Sequence, residues 1–333
     1  MKKRIVNILT GGGGSPEPVI SRAFTMAEIL LSLTIIGVVA AITLPSLTGN
    51  INERTWNTQR KALYARMSQA IALMPALNGF GTLSEETSSG AGDAVDTAAE
   101  TFITAGLSKV LKINNICTGD QLDDCGIASK ITFLNGTTDS FPADWNTLNP
   151  KMINATYSAW TPHSMINAKA AAFETANGES IAVYYNQRCK GAEEKVSAYL
   201  VPPLVCANFI YDLNGTKGPN TVGKDIGFMT VLYSSDSNVV APYPTTQVNP
   251  GSYYEGAVQF CRSQEDARLP NKEEAISIWV NKKLAPSIST GQFYTSSSPG
   301  KADRIIHIDG YSGVMGSIYK TENSGVKTQC IKR

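Results

Sequence analysis

The sequence is poor in the residues on which most enzyme active sites depend. Its 333 residues include two histidines, His163 and His307, and charged residues make up 17%. No two cysteines form a CxxC pair, and the glycine run at 11–14 lacks the Lys-Ser/Thr of a phosphate-binding loop. Because we find no nucleophile–base pair, metal cluster or phosphate loop, the sequence predicts no enzymatic activity.

A strong excess of charge of either sign is also missing. The formal net charge is +1 at pH 7, and no stretch is basic enough to bind nucleic acid strongly. We therefore expect no nucleic-acid partner, and nothing in the composition indicates an organic cofactor.

Cysteines are few but even in number. They are Cys117, Cys125, Cys189, Cys206, Cys261 and Cys330. An even count predicts three disulfides formed in an oxidising compartment. Cys117 and Cys125 bracket a short acidic segment and predict a local disulfide. Cys189 and Cys206 lie at the ends of consecutive strand-like runs and predict a second.

One long apolar segment lies near the N-terminus. Residues 29–47 carry no charged side chain, and a helix of that length crosses the roughly 30 Å hydrocarbon core of a membrane. Glu28 stands at the start of this run, where an ionised carboxylate is costly without a partner. Just before it, the small Ala23 and the aromatic Phe24 form a processing point. Residues 1–23 are therefore predicted to be a leader.

These residues resemble the type IV prepilin signal. In that family a peptidase cuts after a small residue and before a Phe, whose new amine is methylated. The mature chain has Glu at its fifth position and Pro near its twenty-second. Counted from Phe24, the fifth residue is Glu28 and the twenty-second is Pro45. The family usually has Gly where this chain has Ala23, and the resemblance covers about residues 22–78.

The resemblance implies a filament subunit that is first held in the bacterial inner membrane by a single span. A prepilin peptidase/methylase would act at Ala23 and Phe24, and other pilin subunits would contact the chain through its N-terminal helix. The Glu28 carboxylate would pair with the Phe24 amine of a neighbour, because an unpaired charge in an apolar bundle is expensive. Glu28 and Pro45 are thus the predicted assembly residues.

Residues 24–77 are predicted to form one long helix, with its membrane half at 24–47 and a kink at Pro45. Beyond Gly49, apolar residues recur at three- and four-residue spacing and predict a stripe that packs on a globular head at 78–235. Three strand-like runs would form an antiparallel sheet on the helix: Ser180 to Cys189, Ala198 to Tyr211 and Gly227 to Ser234. Two short helices are also expected, at Thr101 to Ile113 and near Ser164 to Ala176.

The loop after the second of these runs carries closely spaced side-chain oxygens. Its sequence is YDLNGTKGPNTVGKD, and it resembles a loop in the heads of pilin-like and pseudopilin-like proteins that sometimes holds calcium. Asp212, Asn214 and Asp225 are the candidate metal ligands. Backbone carbonyls and water would have to complete the roughly six to eight oxygens that calcium takes. The alternative is a Gly-Pro-Asn turn held by Asx hydrogen bonds.

A Pro-rich segment at 236–252 is predicted to be a linker, followed by a module at 253–333. The order of motifs in this module resembles the C-type-lectin-like module at the end of certain collagen-like bacterial adhesins. The motifs are A-x-x-F-C ending at Cys261, ARLPNKEEA starting at Ala267, YTSS starting at Tyr294, and a last Cys at 330. Ala267 replaces a Trp that is common there.

This second resemblance implies a first helix around Cys261 and a second helix at Lys272 to Val280. Asn271 would be the N-cap of the second helix, with Glu274 three residues on. It also implies a Cys261–Cys330 disulfide. The calcium and sugar residues of true lectins are not recognisable, so carbohydrate binding does not follow from the resemblance.

These features predict an α+β fold. A long N-terminal transmembrane and amphipathic helix would pack on an antiparallel sheet, as in a pilin, and a disulfide-tied C-type-lectin-like domain would follow. The leading hypothesis is a type IV pilin-like filament subunit, minor or at the tip. Its C-terminal module would be adhesive and bind an extracellular glycan or protein.

Three alternatives stay open. A pseudopilin of a type II secretion system would carry the same N-terminal signal. A membrane-tethered enzyme would need a site that the sequence does not display, and DNA uptake would need a basic surface. The predicted location is the inner membrane, followed by an extracellular filament or a periplasmic pseudopilus.

Overall fold

The structure is a computed structural model that distinguishes two compact units, Met1–Asn52 and Glu53–Arg333. The residues that it describes are 25–78, 98–133, 136–150, 169–186, 189, 205–233, 238–240, 244–249, 254–264, 266–284, 292–310, 313, 315–320, 326 and 328–332.

The described helices are mostly short. They are α1 (Met26–Asn78), α2 (Ala98–Thr101), α3 (Trp145–Leu148), α4 (Tyr254–Ser263) and α5 (Lys272–Val280). Single helical turns lie at Phe102–Gly106, Leu107–Lys109, Leu122–Cys125 and Gly215–Lys217. The first two of these turns continue directly from α2, so this helical segment ends before the expected limit at Ile113.

Six of the fourteen described strands belong to one antiparallel sheet. The strands are β1 (Ile113–Thr118), β2 (Lys130–Thr132), β3 (Thr138–Ser140), β4 (Ala171–Thr175), β5 (Ser180–Tyr185), β6 (Val205–Asp212), β7 (Ile226–Leu232), β8 (Asn238–Val240), β9 (Pro244–Asn249), β10 (Ala267–Arg268), β11 (Gln292–Tyr294), β12 (Arg304–Asp309), β13 (Met315–Tyr319) and β14 (Thr328–Lys332). The central sheet has the order β1-β4-β5-β6-β7-β8. Smaller sheets contain β10-β14-β9, β11-β12-β13 and β2-β3.

Three adjacent inner strands of the central sheet are buried on both faces. Every residue of β5, β6 and β7 is buried. Along β5, Ile181 and Val183 belong to one hydrophobic cluster, whereas Ala182 and Tyr184 belong to another. This alternation follows from the period of two in a strand. The sheet therefore has two apolar faces, and each needs a cover.

The second half of α1 covers one face. Its buried side chains recur at helical spacing, as the stripe predicted from the sequence requires: Leu63, Met67, Ile71 and Met74. They share a cluster with Phe209 of β6. Phe102 stacks on Tyr185 in the same cluster, with ring centroids 4.4 Å apart. Arg66 of α1 also forms a salt bridge with the buried Glu179.

Helix α5 covers the other face. Five of its residues share one hydrophobic cluster with Trp145 and Phe228: Ala275, Ile276, Ile278, Trp279 and Val280. The helix begins with the predicted capping box. The Glu274 amide donates to Asn271 Oδ1 at 2.7 Å, and the Asn271 amide donates to Glu274 Oε2 at 2.8 Å.

A buried polar network fixes the position of α5 on the sheet. The side-chain amide of Asn208 donates to Asn281 Oδ1 at 2.7 Å, and that of Asn281 donates to Asn208 Oδ1 at 2.9 Å. The Thr230 hydroxyl donates to Asn208 Oδ1 at 2.8 Å and lies 2.6 Å from Ser277 Oγ. All four residues are inaccessible to solvent. A displaced α5 would leave several buried polar groups unpaired, which is costly.

Three disulfides are present, and each pairing is the one expected from the sequence. They are Cys117–Cys125, Cys189–Cys206 and Cys261–Cys330. The last ties α4 to β14 within a third hydrophobic cluster, which also contains Leu269, Tyr294 and Ile305. This small C-terminal cluster is separate from the cluster that α5 shares with the central sheet.

The fold class predicted from the sequence is wrong in two respects. Over the residues that the structure describes, no helix combines the length and the apolar character needed to cross a membrane. A run without charged side chains from Ile29 to Leu47 does not by itself establish a spanning helix. A pilin-like head followed by a separate lectin-like domain is also wrong, because α5 of the presumed module completes the core of the sheet.

Several local predictions have different outcomes. Within the described residues, the three strand-like runs contain β5, β6 and β7, but the described part of the helix expected near Ser164 to Ala176 is strand β4. The segment predicted to be a linker, 236–252, contains β8 and β9, which pair with β7 and β14. The leader at 1–23 lies outside the described residues, and the other domain boundaries stay predictions.

Candidate functional site

The loop between β6 and β7 gathers polar side chains at one end of the central sheet. Asp212 ends β6 and is paired in register with Ile226, which begins β7. The Leu213 amide donates to the Asp225 carbonyl at 3.0 Å, so Asp212 and Asp225 lie at the same end of the hairpin. Among the described residues, no group of three His, Cys, Asp or Glu side chains is placed to hold a metal ion. Any metal here would need amide and carbonyl oxygens as well.

Asp225 shapes the turn. Its side chain is fully buried, and its two oxygens accept from the amides of Asn220 and Thr221, both at 2.8 Å. Asn220 has a φ of 50°, in the left-handed region that Asn tolerates better than most residues. Asp225 thus holds the turn from its far end, whereas the Asx hydrogen bond of the alternative interpretation is formed by Asp212 Oδ1 with the Asn214 amide.

Asp212 is in a less favourable environment. It is 3% exposed, and its Oδ1 accepts from the Asn214 amide at 3.1 Å. Its Oδ2 is buried and has no hydrogen-bond partner among the described residues. Burial raises the pKa of Asp212 to about 7, and the negative charge of Asp225 contributes to the increase. This carboxylate would gain from a nearby cation at neutral pH.

Two amide oxygens in the same loop are likewise buried without a hydrogen-bond partner among the described residues. They are Asn214 Oδ1 and Asn220 Oδ1. The Asn214 side-chain nitrogen donates to the Gly218 carbonyl at 2.7 Å, which orients Oδ1 away from that bond. Each buried oxygen without a partner costs about 1–3 kcal/mol. Three such oxygens occur in this loop, and oxygen is the ligand atom that calcium takes.

Arg60 joins this loop to α1. One of its terminal nitrogens donates to the carbonyls of Gly223 and Lys224, the former at 3.1 Å. The other donates to Asn57 Oδ1 at 3.0 Å on the same helix. The candidate site is therefore held from two directions, by the β6–β7 hairpin and by a helix that packs on the sheet.

The first turn of α1 gives Glu28 a local role that the sequence argument missed. The Thr25 amide donates to Glu28 Oε2 at 2.8 Å, and the Thr25 hydroxyl donates to the same oxygen at 2.9 Å. The Glu28 amide in turn donates to Thr25 Oγ1 at 3.3 Å. This is a capping box, and its signal in the sequence is a Thr followed three residues later by Glu. The position of Glu28 before an apolar run thus has a structural explanation.

The first part of α1, on both sides of Glu28, exposes large apolar side chains around its circumference. They are Met26, Ile29, Leu30, Leu31, Leu33, Ile35, Ile36, Val38 and Val39, each between 45% and 80% exposed. We call residues 26–39 the apolar segment. So much contiguous exposed apolar surface is typical of an interaction site.

Other predicted positions give less information. Ala23 and Phe24 lie outside the described residues, and Pro45 falls within the bounds of α1 without a described side chain. His307 is half-buried beside Gly316, and burial lowers its pKa. Its Nδ1 has no hydrogen-bond partner within the described residues.

Comparison with known proteins gives no match. No family model, no curated protein and no solved structure corresponds to this chain.

Proposed function

We propose that the chain is a type IV pilin-like filament subunit whose copies associate through the apolar segment. The observation that carries the proposal is the exposure of its large apolar side chains from Met26 to Val39. Burying one such side chain against a neighbouring copy is worth about 1.5–3 kcal/mol. Lateral packing of several copies would remove this surface from water.

The order of Phe24, Glu28 and Pro45 supports this proposal. A cut before Phe24 would leave a positive amine four residues before the Glu28 carboxylate. In a bundle of apolar helices, that amine on one subunit would pair with the carboxylate of another, because an unpaired charge there is expensive. A prepilin peptidase/methylase is the implied processing enzyme, and the mature chain would function at the cell surface.

The variant Glu28→Gln distinguishes the proposed role of Glu28 in subunit pairing from its role in capping α1. Gln also closes a capping box, so this variant keeps the start of α1 but removes the charge. We expect Glu28→Gln and Glu28→Ala each to lower the amount of the protein in sheared filaments about tenfold or more, as loss of a buried ion pair would. Immunoblots of filament and whole-cell fractions measure the ratio.

Ser32→Ala is the matched control for this experiment. Ser32 lies in the same segment, and its hydroxyl donates to the Ile29 carbonyl within the helix. It should enter filaments at the native level. Native incorporation of Glu28→Gln combined with loss in Glu28→Ala would mean that Glu28 only caps the helix, and the pairing proposal would then be wrong.

The β6–β7 loop favours a second candidate function, a pseudopilin of a type II secretion system. The loop sequence resembles those of pseudopilin heads, and the buried oxygens of Asp212, Asn214 and Asn220 suit calcium. We propose calcium as the ligand of this loop in either case. The two functions differ in location, since only a pilus subunit would be labelled by antibody on filaments of intact cells.

A further inference from the structure

A groove of about 480 Å³ lies beside α4, away from the β6–β7 loop residues. One wall is formed by Tyr254, Val258 and Arg262, which recur every four residues on one face of α4. The volume falls in the range of roughly 300–1,000 Å³ that is usual for small-molecule sites. Apolar Val258 and Leu269 line it together with polar side chains.

The groove is held in shape by covalent and polar contacts. The Cys261–Cys330 disulfide fixes α4 to β14, and β14 pairs with β10, which supplies Ala267 and Arg268 to the groove. The Arg268 guanidinium donates to both carboxylate oxygens of Glu274, at 2.8 and 2.6 Å. Because the walls of the groove are already fixed, the protein would lose little conformational entropy when a ligand binds.

Arg262 is the cationic side chain of the groove lining that has no ion pair among the described residues. Arg268 is neutralised by Glu274, whereas Arg262 is exposed and makes no hydrogen bond or ion pair among the described residues. Burial raises the pKa of Tyr254, and the positive charge of Arg262 opposes that increase. The guanidinium and the phenol belong to the same wall of the groove.

The other polar side chains of the groove favour a ligand that carries hydrogen-bond donors in addition to a carboxylate. Gln264 offers a donor and an acceptor, and the exposed Asp266 offers a carboxylate that only accepts. Asp266 would repel a second acidic group but would bind hydroxyls. The ligand thus needs one carboxylate for Arg262, hydroxyls for Asp266 and a compact apolar face for Val258 and Leu269.

An acidic sugar meets these requirements. We propose that this groove binds a glycan through a uronic-acid-type residue, with its carboxylate on Arg262 and its ring hydroxyls on Asp266. An extended acidic peptide fits less well, because Asp266 opposes its repeated charges. The proposal does not depend on filament assembly.

Calorimetric titration of the full-length chain with sodium glucuronate tests the proposal. We expect a dissociation constant on the order of 1 mM and much weaker binding of glucose and acetate. Arg262→Ala should weaken glucuronate binding about tenfold or more, as loss of a charge-assisted hydrogen bond does. Asp266→Asn, which keeps a residue tolerant of the φ of 54° at this position, should also weaken it.

The control variant is Arg54→Ala, which removes an exposed guanidinium from α1 and should leave binding unchanged. Equal binding of glucose, acetate and glucuronate would overturn the proposal, as would an unaltered affinity of folded Arg262→Ala. Tighter binding of a triglutamate peptide than of glucuronate would identify a peptide groove and refute the glycan assignment.

Discussion

At the scale of single residues, two neighbouring aspartates differ in whether their oxygens find donors. Both oxygens of Asp225 accept backbone amides, and the carboxylate holds the turn. Asp212 has one satisfied oxygen and one buried oxygen without a partner within the described chain. Asp225 therefore stabilises the loop alone, whereas Asp212 requires a proton or a cation.

The pH dependence of calcium binding follows from the raised pKa of Asp212, about 7 in the folded chain. Without calcium, the folded state holds this proton between pH of about 4 and 7, so stability falls as pH rises through that window and is level above it. Calcium must displace the proton. Its affinity should therefore be about tenfold higher at pH 8 than at pH 6, measured as the calcium-dependent increase in Tm.

Asp212→Asn should abolish the calcium response while stabilising the calcium-free chain at pH 8 by about 1–3 kcal/mol, because a buried unpaired charge is removed. Asp120→Asn is the control, since Asp120 is highly exposed and lies in another loop. A calcium response in Asp212→Asn equal to that of the native chain would rule out this site.

At this scale the sequence predicts part of the site. Asp212 and Asn214 were found because closely spaced acids and amides flank glycines, which is a local pattern. Asn220 was missed because its left-handed backbone and buried oxygen become visible only in the folded loop. The groove residues were missed because Tyr254 and Ser296 are brought together by tertiary packing alone.

At the scale of elements, α5 is attached to β6 and β7 by polar contacts as well as by apolar ones. The reciprocal amide pair of Asn208 and Asn281 joins a strand to the end of the helix. Such a pair stabilises only one position of the helix, since any slip leaves both amides unsatisfied.

A double-mutant cycle measures this coupling. Asn208→Leu and Asn281→Leu should each lower the free energy of unfolding by about 1–3 kcal/mol, because the remaining amide is buried without its partner. The double variant should lose at least about 1 kcal/mol less than the sum of the two. Chemical denaturation gives all three values.

Asn177→Leu provides the reference for an exposed Asn in the turn before β5, and its effect should stay within about 0.5 kcal/mol. Strict additivity of the Asn208 and Asn281 variants would contradict the proposed coupling.

The sequence of β5 contains a signal for the second covered face of the sheet. From Ile181 to Tyr185 the residues of β5 are apolar or aromatic without alternation, which is typical of a strand buried on both sides. The partner of the second face could not be predicted, because α5 lies far along the chain and beyond a segment that was read as a linker.

At the scale of the whole molecule, the unit from Glu53 to Arg333 contains a sheet whose two faces are covered by helices from opposite ends of that unit. The second half of α1 covers one face, and α5 covers the other. Among its described residues, the presumed C-terminal module has one small cluster of its own, around Cys261 and Cys330. The apolar side of α5 belongs to the larger core.

A fragment of residues 253–333 should therefore not fold alone, even with its disulfide formed. We expect no cooperative thermal transition, and its single tryptophan, Trp279, should fluoresce at the wavelength of a solvent-exposed indole. In the full chain Trp279 is inaccessible to solvent, so its emission should be blue-shifted. A cooperative transition with blue-shifted emission in the fragment would show instead that the module is autonomous.

Helix α5 follows the strands that it covers in the sequence, and this order has a consequence for biosynthesis. Strands β5 to β7 leave the ribosome well before the residues that shield one of their faces. During that interval one apolar face of the nascent sheet is exposed to solvent. Protection of that face from aggregation then requires a chaperone or rapid translation of the following segment. Chains truncated before Trp279 should consequently be recognised as defective and degraded, which makes the last quarter of the polypeptide a checkpoint for the maturation of the rest.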